Sequence, residues 1–152
     1  LTVHASGGSA MLRAAAQAAQ ATAAALGRPA PLLLGVTVLT SSDAGTLRET
    51  GVADTVPAQV ERLARLAVAA GVPGLVCSPL ELPLLRGCLP HEIQLVTPGI
   101  RTGAEQADDQ KRTLSPREAL AAGADWVVIG RPIYAAADPR AAAEAIQASL
   151  AG

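Results

Sequence analysis

The sequence predicts an α/β fold, here the C-terminal five βα units (strands 4–8) of a (β/α)8 TIM barrel. Five short apolar runs alternate with segments of helical periodicity, and that alternation calls for a parallel sheet with helices outside it. Polar and glycine-rich residues collect just after the runs, where parallel α/β folds bind ligands. The last two runs each end in a Gly close to an Arg, and a phosphate site after the final strands is a recurrent barrel feature. A full barrel typically takes about 250 residues, whereas this chain has 152. The expectation is a single domain over residues 1–152 that forms part of a barrel. No G-x-G-x-x-G follows a run, which argues against a dinucleotide-binding sheet.

Leu1 to Ala5 reads as the end of a strand, and Gly7-Gly8 as a turn. Ser9 to Leu26 is an Ala-rich helix with Leu12, Ala15, Ala19, Ala23 and Leu26 on one face, stopped by Gly27. Pro31 to Leu39 is a continuous apolar run, the pattern of a strand buried on both faces. Thr40 to Asp54 reads as a polar loop. Thr55 to Ala70 is a helix with Val56, Val60, Leu63 and Ala67 inward and Gly71 as its C-cap. Gly74 to Cys77 is a strand, Pro79 to Arg86 a short helix, and Ile93 to Thr97 the next strand. Ser115-Pro116 opens a helix as N-cap and first-turn proline, and Gly123 closes it. Asp125 to Ile129 is the last strand. Asp138-Pro139 opens the final helix, with Ala142, Ile146 and Leu150 in line.

Composition narrows the function. Half of the residues are hydrophobic, yet there is one Trp, one Tyr and no Phe, so Leu, Val, Ile and Ala must build the core. Net charge is −1 with dispersed basic residues, and nucleic-acid binding, which needs a basic patch, is not expected. No apolar run reaches the ~20 residues of a membrane span. The opening Leu-Thr-Val-His carries no basic leader before a hydrophobic segment, so no signal peptide is expected. Cys77 and Cys88 make neither a disulfide framework nor a C-x-x-C, which fits a reduced, cytoplasmic protein.

The chemistry concentrates between Val96 and Tyr134. That stretch reads V-T-P-G-I-R, A-D-D-Q-K-R, L-S-P-R-E-A and D-W-V-V-I-G-R-P-I-Y. Two successive strand ends would set backbone N–H groups, a Gln and cations around one point, which suits an anionic group and most economically a phosphate. Gly130 lets the backbone come close to a ligand, and Arg131 can fork onto phosphate oxygens. The plainer alternative is a rim arginine in a salt bridge. Arg101, after Pro98-Gly99-Ile100, is a similar candidate. Gln110 alone would be a solvated loop residue. Thr40 and Ser41 follow an apolar run and could read a heterocycle or simply form a turn. His4 ends the first strand, as a general acid or base or as a hydrogen-bonded structural residue. His91 is expected to be exposed, Cys77 to be a small buried hydrophobe, and Lys111, the one lysine, to be solvated. Two isolated histidines without a carboxylate at ligand spacing point away from a metal site.

An ordered set of motifs carries a family resemblance. T-V-H-A-S-G-G-S-A-M-L at Thr2, L-L-G-V-T-V-L-T-S at Leu33, C-S-P at Cys77, T-P-G-I-R at Thr97, D-Q-K-R at Asp109 and V-I-G-R-P-I at Val128 together resemble the bacterial orotidine 5′-phosphate decarboxylases. The likeness covers essentially the whole chain. It implies a homodimeric barrel, with active sites near the dimer interface, that converts orotidine 5′-monophosphate to UMP and CO₂ without metal or organic cofactor.

By that resemblance Arg131 matches the phosphate-binding arginine, and Gly130 offers a backbone N–H. Gln110 matches a glutamine bridging phosphate and pyrimidine, and Arg101 an arginine near the phosphate loop. Thr40 matches a hydroxyl residue at the pyrimidine edge, and Pro98 lines the base pocket. In the family, an Asp/Lys array with a D-x-K-x-x-D motif does the chemistry. A carboxylate crowds the substrate carboxylate, and lysine stabilises and then protonates the C6 carbanion. Neither that motif nor a second lysine occurs here, so no catalytic residue is expected within residues 1–152. Both belong before the T-V-H-A segment. Two alternatives stay open: another sugar-phosphate barrel enzyme (a keto-sugar-phosphate decarboxylase or an epimerase), and a non-catalytic phosphate-binding half-barrel.

Overall fold

The computed structural model describes residues 1–100 and 114–150. Five parallel strands stand in sequence order: β1 (Thr2–His4), β2 (Leu34–Val36), β3 (Gly74–Val76), β4 (Gln94–Thr97) and β5 (Trp126–Val127). Between and after them run α1 (Gly8–Ala25), α2 (Ala44–Glu49), α3 (Val56–Ala69), α4 (Leu82–Cys88), α5 (Pro116–Ala121), α6 (Arg131–Tyr134) and α7 (Pro139–Leu150). Each neighbouring pair of strands is joined through a helix, as a parallel connection requires.

Register explains which side is covered. Val3, Gly35, Leu75 and Leu95 form one row across the sheet, and His4, Val36, Val76, Val96 and Trp126 form the next. Successive rows face opposite ways. The first row faces the helices: a Cβ placed on Gly35 would meet the Ala67 Cβ of α3 at 3.2 Å, so glycine lets α3 lie close to the sheet. Leu75 and Leu95 are fully buried there, with Leu12, Val60, Ala64, Leu82 and Leu85 of the helices. On the opposite face His4 and Trp126 are exposed, Val36 and Val76 half-buried and Val96 buried. The helices therefore line one side, and the core is made of Leu, Val, Ile and Ala with buried Cys77.

The helix boundaries follow local chemistry. Thr55 caps α3 by accepting from Ala58 N–H, and Gly71 leaves it at φ 86°. Ser115 and Glu118 form a reciprocal capping box on α5. The Asp138 carboxylate accepts from Ala141 N–H at the start of α7.

Several expected boundaries change. The run Pro31–Leu39 yields only the three residues of β2; Pro31, Leu32 and Leu39 are exposed, because pairing with β1 starts where Leu34 N–H reaches the Leu1 carbonyl. The loop Thr40–Asp54 contains α2, started by Asp43, whose carboxylate accepts from Thr46 N–H. Gly7-Gly8 is no simple turn: a 3-10 turn over Ala5–Gly7 runs into α1. Leu26 lies past the end of α1 and is 66% exposed rather than inward, with Ala16 buried in the face instead, and Val56 is only half-buried. The Pro79–Arg86 helix is a 3-10 turn (Pro79–Glu81) followed by α4, which extends to Cys88. The last strand shortens from Asp125–Ile129 to two residues, and α6 begins at once after Gly130.

Candidate functional site

The C-terminal ends of β2, β4 and β5 carry the described candidate residues. Thr40 follows β2 in a turn, half-buried, and Ser42 N–H closes that turn onto the Leu39 carbonyl at 2.9 Å. Pro98 follows β4 directly and is half-buried; Gly99 behind it has φ 78°, a left-handed conformation that favours glycine. Gly130 and Arg131 follow β5, with Gly130 as the N-cap of α6 and Arg131, half-buried, as its first residue. The Gly130 carbonyl accepts from both Ile133 and Tyr134 N–H, which turns the chain sharply at that point. Among the described residues, a Cβ on Gly130 would meet only the Tyr134 ring, at 3.4 Å, an ordinary van der Waals contact. Arg101, Gln110 and Lys111 lie outside the described residues.

Strand pairing brings two of these ends together. Val128 N–H donates to the Thr97 carbonyl at 2.9 Å, so the T-P-G turn and the G-R turn leave adjacent strands. Thr40 follows β2, and β3 stands between β2 and β4. Beyond the turn, Ile100 is buried and bridges Leu114 in parallel fashion.

Two threonines escaped the sequence reading. Thr37 Oγ1 donates to the Val76 carbonyl at 3.0 Å, and Thr97 Oγ1 to the Cys77 carbonyl at 2.9 Å. Both side chains are buried and stitch the end of β3 to its neighbours on either side. Only their place at the end of apolar runs marks them, and turn-forming threonines share that signal. Ser78 and Glu81 were also missed, although S-x-x-E is a recognisable box: Ser78 N–H donates to the Glu81 carboxylate at 2.9 Å, and both residues are buried just past β3.

The remaining candidates divide by position. His4 closes β1 at the same end of the sheet, on the face away from the helices, and is exposed; His91 is exposed in the connection before β4. Cys77 is a buried core residue. Burial pushes the Cys88 thiol above its ordinary pKa, partly offset by Arg65. Two cavities among the described residues lie elsewhere. One, of about 600 Å³, runs between α1 and residues 28–33; the other, of about 550 Å³, lies between the start of α5 and α7. Neither is lined by Thr40, Pro98, Gly130 or Arg131. Among the described residues no helix is long and apolar enough to cross a membrane.

Known proteins share this arrangement over most or nearly all of its extent. The chain is 55% identical over 150 residues to an orotidine 5′-phosphate decarboxylase of Opitutus terrae, covering 99% of this chain and 63% of that protein. It is 51% identical over 150 residues to the enzyme of that name from Dichelobacter nodosus, again covering 63% of it. The chain thus spans a little over six-tenths of the length of these curated relatives. Among solved structures, the orotidine 5′-phosphate decarboxylase of Lactobacillus acidophilus matches with a TM-score of 0.81 at 37% identity, over 99% of this chain and 62% of that one. The Pyrococcus horikoshii enzyme matches with a TM-score of 0.59 at 25% identity, over 81% of this chain and 52% of that one. The parallel five-stranded sheet with its outer helices is accordingly part of a (β/α) barrel. The family described as orotidine 5′-phosphate decarboxylase / HUMPS matches residues 1–146. With the family match over residues 1–146 and a relative 55% identical across 99% of the chain, the chain belongs to the orotidine 5′-phosphate decarboxylase / HUMPS family.

Proposed function

We propose that this chain supplies the phosphate- and base-binding side of a carboxy-lyase that converts orotidine 5′-monophosphate to UMP in pyrimidine biosynthesis. The observation that carries the reading is the β4–β5 pairing, which sets the T-P-G and G-R turns on neighbouring strand ends in a chain of this family. Arg131 forks onto the phosphate with help from Gly130 N–H, and Arg101 and Gln110 complete the grip. Pro98 lines the base pocket, and Thr40 reads the pyrimidine edge. The five βα units stand as strands 4–8 of the barrel. The enzyme works as a cytoplasmic homodimer.

Binding at a remote phosphate can drive chemistry at the pyrimidine, provided that the reacting groups are present. The reaction forms a carbanion at C6, which needs a cation beside it that can also give up a proton. Arginine stays protonated in proteins and is a poor proton donor. Lys111 is the one lysine, and no D-x-K-x-x-D occurs. The Asp/Lys array is therefore assigned to sequence outside residues 1–152.

A spectrophotometric assay of orotidine 5′-monophosphate tests this. Residues 1–152 alone should give no turnover, and a chain spanning the relatives' full length should be active. Turnover by residues 1–152 that Lys111→Ala abolishes would overturn the assignment of the chemistry. UMP binding without any turnover by the full-length chain would favour a non-catalytic phosphate-binding barrel.

A further inference from the structure

Thr97 is tied to both of its neighbouring strands by different parts of the same residue. Its side chain is fully buried, and Oγ1 donates to the Cys77 carbonyl of β3's end at 2.9 Å, with the Pro98 carbonyl at 3.3 Å. Its own carbonyl accepts from Val128 N–H at 2.9 Å, at the end of β5. Pro98 and the left-handed Gly99 follow Thr97 immediately, and Gly130 lies two residues beyond Val128. Thr97 is thus joined directly to the first turn and, through Val128 and the single residue Ile129, to the second. A buried hydroxyl has few ways to satisfy itself, so the side-chain bond fixes the rotamer and the strand end together.

We infer that Thr97 is a positioning residue for the phosphate end of the site, holding the Pro98–Gly99 turn in register with the Gly130–Arg131 turn. It acts through those turns and touches no reacting atom. The inference rests on the functional reading above, because it is the nucleotide phosphate that both turns would face. A misplacement of the strand end by a fraction of an ångström lengthens directional, charge-assisted hydrogen bonds to phosphate, whereas the apolar contact of Pro98 with the base tolerates the same shift at much lower cost.

The test measures UMP and uridine affinity calorimetrically in the full-length chain, beside thermal melting. Thr97→Val keeps the shape and removes the hydroxyl, and is expected to weaken UMP roughly 10-fold, with little change for uridine. Thr97→Ser, which keeps the hydroxyl, is expected to recover most of that loss. If Thr97→Val does not fold, Thr97→Ser against Thr97→Ala reads the same difference, since both lack the methyl. A lowered melting temperature with UMP affinity unchanged would make Thr97 structural only and overturn the inference. Equal losses for UMP and uridine would overturn it too. Failure of the unmodified chain to bind UMP would instead sink the functional reading on which it rests.

Discussion

Arg86 and Asp125 meet at 2.5 Å between Nη2 and Oδ2, at the end of the sheet opposite the candidate site. Arg86 comes from α4, and Asp125 precedes β5. The same guanidinium donates to the Gly123 carbonyl and the Ile93 carbonyl, each at 2.9 Å, and Asp125 Oδ2 also accepts from Leu95 N–H at 2.6 Å. One ion pair thereby fastens the entry of β4 to the entry of β5. In barrels this face serves stability, whereas the opposite face serves chemistry.

Arg86→Ala should destabilise the chain by about 2–4 kcal/mol, because it strips several charge-assisted bonds from a largely enclosed pair. Gly123→Ala should also destabilise it: Gly123 has φ 107°, and an added Cβ would lie 2.8 Å from Arg86 Cγ. Denaturant unfolding measures both. A shift within the ~0.5 kcal/mol scatter of ordinary surface substitutions would show that the clamp is idle.

The α5 capping box should respond to pH. Hydrogen bonds from the Ser115 hydroxyl, then from its backbone N–H, hold the Glu118 carboxyl below its ordinary pKa. A carboxylate with a lowered folded-state pKa contributes stability above its unfolded value and loses it as pH falls through the folded one. Ser115→Ala should return Glu118 towards an ordinary carboxylate, read by NMR titration of its side chain. An unchanged Glu118 titration would mean that the box does not persist in solution.

Arg131→Ala, in a chain spanning the relatives' length, should weaken a nucleoside monophosphate by roughly 10–100-fold, the worth of one or two charge-assisted hydrogen bonds. The corresponding nucleoside should lose far less. Equal losses for both would assign Arg131 to the fold.

The sheet ends on β1 and β5. Among the described residues these two edges have no further strand, and together with Trp126 at 57% and Val128 at 51% exposure they favour association. Residues 1–152 by themselves should therefore self-associate or dissolve poorly. Light scattering that shows a clean monomer at high concentration would contradict this.

The order of the elements was legible because each signal is local. Thr55, Ser115 and Asp138 cap the helices that their positions announce, and Gly71 and Gly123 turn left-handed where the helices stop. A buried strand and a loop entering it share the same apolar composition, so Pro31–Leu39 overstated β2; pairing with β1, not hydrophobicity, sets its length. α2 and α6 are each under two turns, too short for helical periodicity to register.

The sequence by itself determined the fold class, the strand order and the identity of the residues at the strand ends, Thr40, Pro98, Gly130 and Arg131. Periodicity, caps and contiguous motifs are properties of neighbouring residues and need no three-dimensional partner. Only the tertiary structure decided that Thr97 joins β3 to β5, that Arg86 clamps Asp125 across 39 positions of sequence, and that the two sheet faces differ so sharply in burial. Those relations depend on register between strands distant in sequence. A one-residue slip would turn every side chain to the other face, and no local pattern records it.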